Sequence, residues 1–274
     1  MFTKNRMKNL FKILAIVIIV IVVASGLGYI LIKNNQSKET DEGIQQDIVL
    51  LKQQVNEDLQ EFKMIKRIKS NRGLIKSKDD FKQISQYQKY VTPDNQILQN
   101  YISTNQITTA NQAYKTAKQW IWVSDQILHG TIEKWLLPQE FIQETPTDPD
   151  NPVPGSMVSD CESQAYTLVS MLEAIGVAKT NVRVVVGNVT FSGTKSGHAW
   201  VQVYEDNEWF ELEATSGPYW DDDDNELVNS IGFSYNYFKT HPYPVDEYFA
   251  YFNDIFFYNP NTGKKSVDLP DNWL

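Results

Sequence analysis

SDCESQAYTLVSMLEAIG, residues 159–176, holds the one cysteine of the 274-residue chain. Ala165, Leu168, Val169, Leu172 and Ile175 recur at helical spacing and fall on one face. Gly176 is a natural stop, and Ser159 or Asp160 a natural N-cap. Cys161 therefore belongs to the first turn of a helix. Free amides and the helix dipole there favour negative charge, so the spacing predicts a stabilised thiolate, the nucleophilic form of the thiol. A single cysteine forms no internal disulfide. The thiol is structural, intermolecular or reactive, and its place at a helix start favours the reactive role.

The flanks of this helix fit that role. Upstream, ETPTDPDNPVPG (144–155) is rich in proline, and each residue before a proline is pushed out of the helical region. The chain should reach Cys161 as an irregular loop. Another helix is expected over Thr109–Leu128, with Ala110, Ala113, Ala117, Ile121 and Leu128 at helical spacing. Downstream, VRVVVGNV (182–189) reads as a buried central strand. HAWVQVY (198–204) and WFELEAT (209–215) then alternate as two strands around Glu205-Asp206-Asn207-Glu208. A two-residue loop at Asp206-Asn207 pairs Glu205 with Glu208, Val203 with Phe210, Val201 with Leu212 and Ala199 with Ala214. Beyond the turn that face is apolar, which supports the register. Glu213 then lies diagonal to His198 on the opposite face, about 7–8 Å away between backbones. A glutamate side chain spans that gap. Cysteine, histidine and carboxylate are the three groups that nucleophilic acyl transfer needs.

The remaining polar and aromatic features have plainer readings. His129, before Gly130, suits a helix C-terminus, and His241 sits in a packed loop of prolines and aromatics. The run Asp221–Asp224 is rich in oxygen but lacks the spacing of a calcium-binding helix–loop–helix; a solvated acidic loop is expected. Trp200, Trp209, Tyr219 and Trp220 are candidates to line a substrate groove, or else belong to the core. The aromatic tail YPVDEYFAYFNDIFFY (243–258) suggests one or two last strands completing the core.

At the other end, Ile13–Ile32 is an uncharged apolar run long enough to cross a bilayer. Lys4, Arg6, Lys8 and Lys12 precede it, which favours a cytoplasmic N-terminus and an external C-terminal domain. Small residues at Val23-Ala24-Ser25 offer the alternative of a cleaved signal, but the apolar run continues past them. Residues 33–75 carry Ile44, Ile48, Leu51, Val55, Leu59 and Phe62 at helical spacing and read as a stalk, with self-association as one use. The expected division is thus 1–12 cytoplasmic, 13–32 transmembrane, 33–75 stalk and 76–274 domain. A net charge of −9 and a pI near 4.9 exclude a nucleic-acid-binding surface.

SDCESQAYTLVSMLEAIG, GHAWVQVY and WFELEAT together resemble the transglutaminase-like superfamily, and WLLPQEFI (135–142) is similar to the family's lead-in. The resemblance implies an α+β, papain-like domain, with the cysteine-bearing helix packed on an antiparallel sheet. It implies Cys161 as nucleophile, His198 as base and Glu213 as the third member, where the family more often has Asp. Ser159 stands where the family often has Gly. The backbone amide of Cys161 is a natural oxyanion donor, with Trp135 and Gln139 as side-chain alternatives. The reading is a membrane-anchored cysteine peptidase or amidase more than a cross-linking enzyme, acting on protein or peptide at the cell surface. It needs no metal or organic cofactor. The competing reading is a non-catalytic module that binds peptide or glycan.

Overall fold

A computed structural model describes Ile48, Val49, Lys52, residues 85–191 and residues 194–274. The chain divides into two units, residues 1–59 and 60–274. The first is described only as helical at Ile48, Val49 and Lys52. The expected membrane segment 13–32 and nearly all of the stalk lie outside the described residues. Among the described residues, no helix is long and apolar enough to cross a membrane.

The described part of the second unit begins with helices α1 (Ser85–Gln88), α2 (Gln96–Thr104) and α3 (Ala110–Ala117). Asn95 caps α2 through its side chain, and Thr109 and Gln112 form a reciprocal capping box on α3. The single helix expected over Thr109–Leu128 is in fact interrupted. After α3 the chain extends as β1 (Ile121–Trp122), and Ser124 caps a new short helix, α4 (Asp125–His129). The break follows from the packing of Trp120, which meets Phe141 edge-on at 5.1 Å and donates its indole N–H to Tyr101 Oη at 3.0 Å. Ile121 and Trp122 are then free to pair with β2 (Val158–Ser159) in parallel.

Helix α5 (Pro138–Gln143) leads into the proline-rich segment, where a turn at Thr145–Thr147 replaces any continuing helix. Asn151 ties this loop by donating to the carbonyls of Thr145 and Ser156. The loop ends in β2, so a short strand rather than irregular chain delivers Cys161. Helix α6 (Cys161–Ala174) follows at once and ends at Gly176, whose φ of 97° needs a glycine.

α6 is buried on every side from Cys161 to Glu173, not along one face as its apolar spacing predicts. Its serines and its threonine have partners that make their burial tolerable. Thr167 and Ser170 donate to the carbonyls of Ser163 and Tyr166 at 2.8 Å, and Ser163 Oγ and Ser170 Oγ accept from the amides of Leu136 and Thr92.

α6 lies on an antiparallel sheet of six strands: β3 (Val182–Phe191), β4 (Thr194–Glu205), β5 (Glu208–Leu212), β8 (Val245–Phe252), β9 (Phe257–Asn259) and β10 (Lys264–Lys265). Their order is β10-β9-β8-β3-β4-β5, so β3 is interior, as its continuous apolar run implies. The aromatic tail supplies β8 and β9. Val184, Val186, Val201, Val203 and Leu212 face α6 and its neighbours. Each such burial contributes roughly 1.5–3 kcal/mol. Val185, Trp200, Tyr251 and Trp273 form the core on the other face. A second, smaller sheet, β2-β1-β6-β7, includes β6 (Tyr219–Asp221) and β7 (Glu226–Val228). A last short helix, α7 (Tyr237–Thr240), precedes β8.

Candidate active site

The β4–β5 hairpin aligns the first two groups of the site. Asp206 and Asn207 take φ values of 55° and 67°, the left-handed pair of a type I′ turn. The register then runs Glu205–Glu208, Tyr204–Trp209, Val203–Phe210, Gln202–Glu211 and Val201–Leu212. The ladder stops there, so the expected Ala199–Ala214 pair is not made. Glu213 instead opens the turn Ala214–Ser216, which frees its side chain to swing across to β4. Its Oε2 lies 2.6 Å from His198 Nε2, with both side chains buried.

Glu213 is held from several directions. Tyr243 Oη donates to Oε2 at 2.6 Å, while Oε1 accepts from the Thr215 amide at 3.0 Å and from Thr215 Oγ1 at 2.5 Å. Tyr243 also packs on Trp200 at 5.2 Å, and Trp200 stacks on the His198 ring at 6.0 Å. The imidazole is thus fixed by a hydrogen bond at one edge and an aromatic stack on one face. With Nε2 engaged by Glu213, Nδ1 is the nitrogen left for proton exchange. Cys161 stands at the start of α6, and its Sγ accepts the backbone N–H of Ala199, the residue after His198. The thiol itself donates to Glu162 Oε2 at 3.1 Å.

Residues 104–214 match the model of the transglutaminase-like superfamily. The matched stretch contains Cys161, His198 and Glu213. No curated protein matches the chain. Among solved structures, calcium-bound LapG of Legionella pneumophila is 16% identical, over 64% of this chain and 83% of its own, with a TM-score of 0.39. The EGTA-treated form of LapG is 15% identical, over 64% and 82% of the two chains, with the same TM-score.

The Cys161 thiol is not the depressed one expected from its helix position. Burial pushes Cys161 well up, and Glu162 and Asp160 push further in the same direction; only the Ala199 amide opposes them. Burial likewise raises Asp160, helped by Glu162, Asp125 and Glu133. It takes Glu162 to about 8 and Asp125 to about 7. Desolvation and like charge outweigh the dipole here because the helix start is sealed from solvent.

The other candidate side chains have these surroundings. Trp135, an oxyanion candidate, donates its indole N–H to Glu133 Oε2 at 3.1 Å and packs on Tyr87, Tyr90 and Tyr166. Gln139 lies in α5 with its Oε1 buried and unpaired. Trp200, Trp209, Tyr219 and Trp220 divide between the two sheets. Trp200 is core, Trp209 covers the Arg183 guanidinium at 3.8 Å, and Tyr219 and Trp220 belong to the smaller sheet. The acidic run builds a turn: Asp221 Oδ1 accepts the amides of Asp223 and Asp224, and Ser124 donates to Asp222. His129 and His241 are engaged locally, by Lys134 and by Tyr237.

Two groups escaped the sequence reading. Tyr243 lies between two prolines in an aromatic-rich tail, where neither period nor spacing singles it out. Asp125, Glu133 and Asp160 come from three separate segments, yet each places a carboxylate oxygen within 4.8 Å of the others.

Proposed function

We propose that the chain is a cysteine-dependent acyl-transfer enzyme, working on amide bonds as a peptidase or amidase rather than as a cross-linker. The observation that carries this reading is the 2.6 Å contact between His198 Nε2 and Glu213 Oε2, on the strand whose Ala199 amide holds Cys161 Sγ. Cys161 attacks an amide carbonyl as His198 Nδ1 takes its proton. His198 then returns the proton to the leaving amine, and a thioester remains on Cys161. Water resolves the thioester, with His198 again as base. Glu213 fixes the ring and stabilises the imidazolium formed in each half-reaction. Because burial holds the resting thiol protonated, the base acts during attack and not before it. The Cys161 amide, at the first helical position, is the natural oxyanion donor. In this reading residues 13–32 anchor the chain with its N-terminus in the cytoplasm, and the substrate is protein or peptide at the cell surface.

The burial of Cys161 and His198, at 2% and 3% exposure, favours a second reading. A closed site with a raised thiol also suits a non-catalytic module that binds peptide or glycan. One experiment separates the two. The full chain is incubated with a peptide library with and without methylamine, and products are identified by mass. Hydrolysis yields free acids that persist in methylamine, whereas transamidation yields methylamides. Both disappear in Cys161→Ala. Absence of any product from wild type, with peptide binding retained in Cys161→Ala, supports the binding module.

A further inference from the structure

We propose that Lys239 is a positioning residue for the carboxylate of Glu213, acting from the tip of the β4–β5 hairpin through residues 230–244. This segment lies beyond the stretch matched by the family model, which ends at residue 214. β5 is the last strand of the six-stranded sheet, and residues 230–244 cross its outer edge as a strap. Tyr235 packs edge-on against Phe210 and Tyr114, at 5.6 and 6.0 Å, in the core beneath α6. Phe238 and Tyr243, 4.9 Å apart, join the core on the opposite face of the sheet. The chain between Tyr235 and Phe238 therefore rounds β5 and covers an edge that would otherwise invite a foreign strand.

The strap is tied at three places. At its start Ser230 Oγ donates to the Ser216 carbonyl at 2.8 Å, and the Phe233 amide donates to Ser216 Oγ at 3.2 Å. Ser216 ends the turn that Glu213 opens. At the far end the Pro244 carbonyl accepts from the Thr190 amide of β3 at 2.9 Å. Tyr243 stands just before it, between two prolines whose rings fix the backbone, with its hydroxyl on Glu213 Oε2. The middle tie is ionic. Glu205 and Glu208 stand opposite each other at the hairpin tip, with Asp206 in the turn. Like charges directly opposite repel, and the strap supplies a base that relieves them. Lys239 Nζ lies 2.8 Å from Glu205 Oε2 and 3.3 Å from Asp206 Oδ2. Tyr235 Oη donates to the other Glu205 oxygen at 2.6 Å. The Lys239 ammonium also lies 4.6 Å from the centre of the Phe210 ring. Charge at the hairpin tip thus sets how firmly the strap closes, and the closed strap presents Tyr243 to Glu213. The effect on turnover rests on the proposed catalytic role of Glu213; the latch itself does not.

Hydrogen exchange on the full chain, read by mass spectrometry, tests the latch. Steady-state cleavage of one peptide from the library tests its effect on chemistry. Lys239→Met keeps an apolar stem over Phe210 and removes the charge. The expected result in Lys239→Met is exchange across residues 233–245 about 3-fold faster, the scale of one partly exposed ion pair, with α6 and β3 unchanged. Lys239→Arg restores the slow rate. Sodium chloride at about 1 M screens the pair and brings wild type to the Lys239→Met rate, while that variant does not respond to salt. In Lys239→Met kcat falls with KM little changed. Combined with Tyr243→Phe it adds no further loss, because the latch acts through that tyrosine. Lys115→Met, which removes the same charge from an exposed position on α3, changes neither readout. Unchanged exchange in Lys239→Met overturns the latch whatever the turnover. Faster exchange with unchanged kcat, or a loss that adds in full to that of Tyr243→Phe, overturns the positioning role. If wild type cleaves no peptide, the catalytic reading fails separately, and the exchange rates alone decide the latch.

Discussion

Glu213 accepts hydrogen bonds from Tyr243 and Thr215 and meets His198 Nε2 at 2.6 Å. Tyr243 shares Oε2 with His198. Its loss should leave the carboxylate free to rotate and the ring less well held. A hydrogen bond to a charged group is worth about 1.5–3 kcal/mol, so we predict that Tyr243→Phe lowers kcat about 10-fold with KM little changed. Glu213→Gln, which presents the wrong partner to Nε2, should lower kcat by about 100-fold or more. Steady-state kinetics on one cleaved peptide compare the two variants; equal effects on KM alone contradict a positioning role. A second prediction concerns the thiol. Glu162 accepts the Cys161 proton and adds negative charge beside the sulfur as it ionises. Glu162→Gln should move the pH profile of Cys161 alkylation to lower pH. A profile that stays in place assigns the raised thiol to burial alone. At this scale the sequence displayed Cys161 as the start of a helix, and His198 and Glu213 as neighbours at the open end of a hairpin whose pairing stops at Val201–Leu212. Tyr243 was hidden, because its role depends on the fold of a tail some 30 residues beyond Glu213.

Among the elements, β3 is the one on which the sheet turns. Gly187 pairs with His198 on one side and Tyr248 on the other, at a shift in the β3–β8 register. A Cβ there would lie 2.2 Å from the Glu247 carbonyl oxygen and 3.1 Å from the Trp200 ring. Gly187→Ala should therefore push β8 away and loosen the stack on His198. We predict a loss of about 2–4 kcal/mol, read from urea unfolding, and a larger drop in turnover than Ile255→Ala on the exposed loop that follows β8. Equal stability of Gly187→Ala and wild type contradicts this close approach. The hairpin was legible because alternation and the Asp-Asn turn fix its register. β1 was not, since a two-residue parallel strand has no period to detect. α6 was legible as a helix but not as one buried all round, because Ser163, Thr167 and Ser170 read as a polar face in sequence yet find partners in its own carbonyls and in the amides of Leu136 and Thr92.

Across the whole molecule, buried acids set the response to pH. Glu173, near the end of α6, is pushed up to about 9, first by burial and then by Asp254. In the unfolded chain it returns to its ordinary value of 4.5. The folded state therefore keeps a proton that the unfolded state releases across that window. The stability tied to Glu173 is fully present below about pH 4.5 and is lost as pH rises towards 9. Asp125, at about 7, and Glu162, at about 8, act in the same direction. We predict that Glu173→Gln matches wild type near pH 4.5 and exceeds its stability at pH 9 by on the order of 1–3 kcal/mol. Urea midpoints at the two pH values measure this, and a constant offset between the proteins contradicts it. Such acids are invisible in sequence, where a net charge of −9 suggests only a solvated surface. The carboxylates of Asp125, Glu133 and Asp160 were equally hidden, since up to 35 residues of chain separate them.

The most direct test of the chemistry is to catch the covalent intermediate. The full chain is mixed with a peptide substrate, quenched in acid within a turnover, and weighed intact. A nucleophilic Cys161 gives an acyl adduct on that residue in wild type, a greatly slowed adduct in His198→Ala, and none in Cys161→Ala. Cleavage of the peptide without any adduct on Cys161, or cleavage that persists in Cys161→Ala, contradicts the thioester route and removes the central role assigned to the cysteine helix.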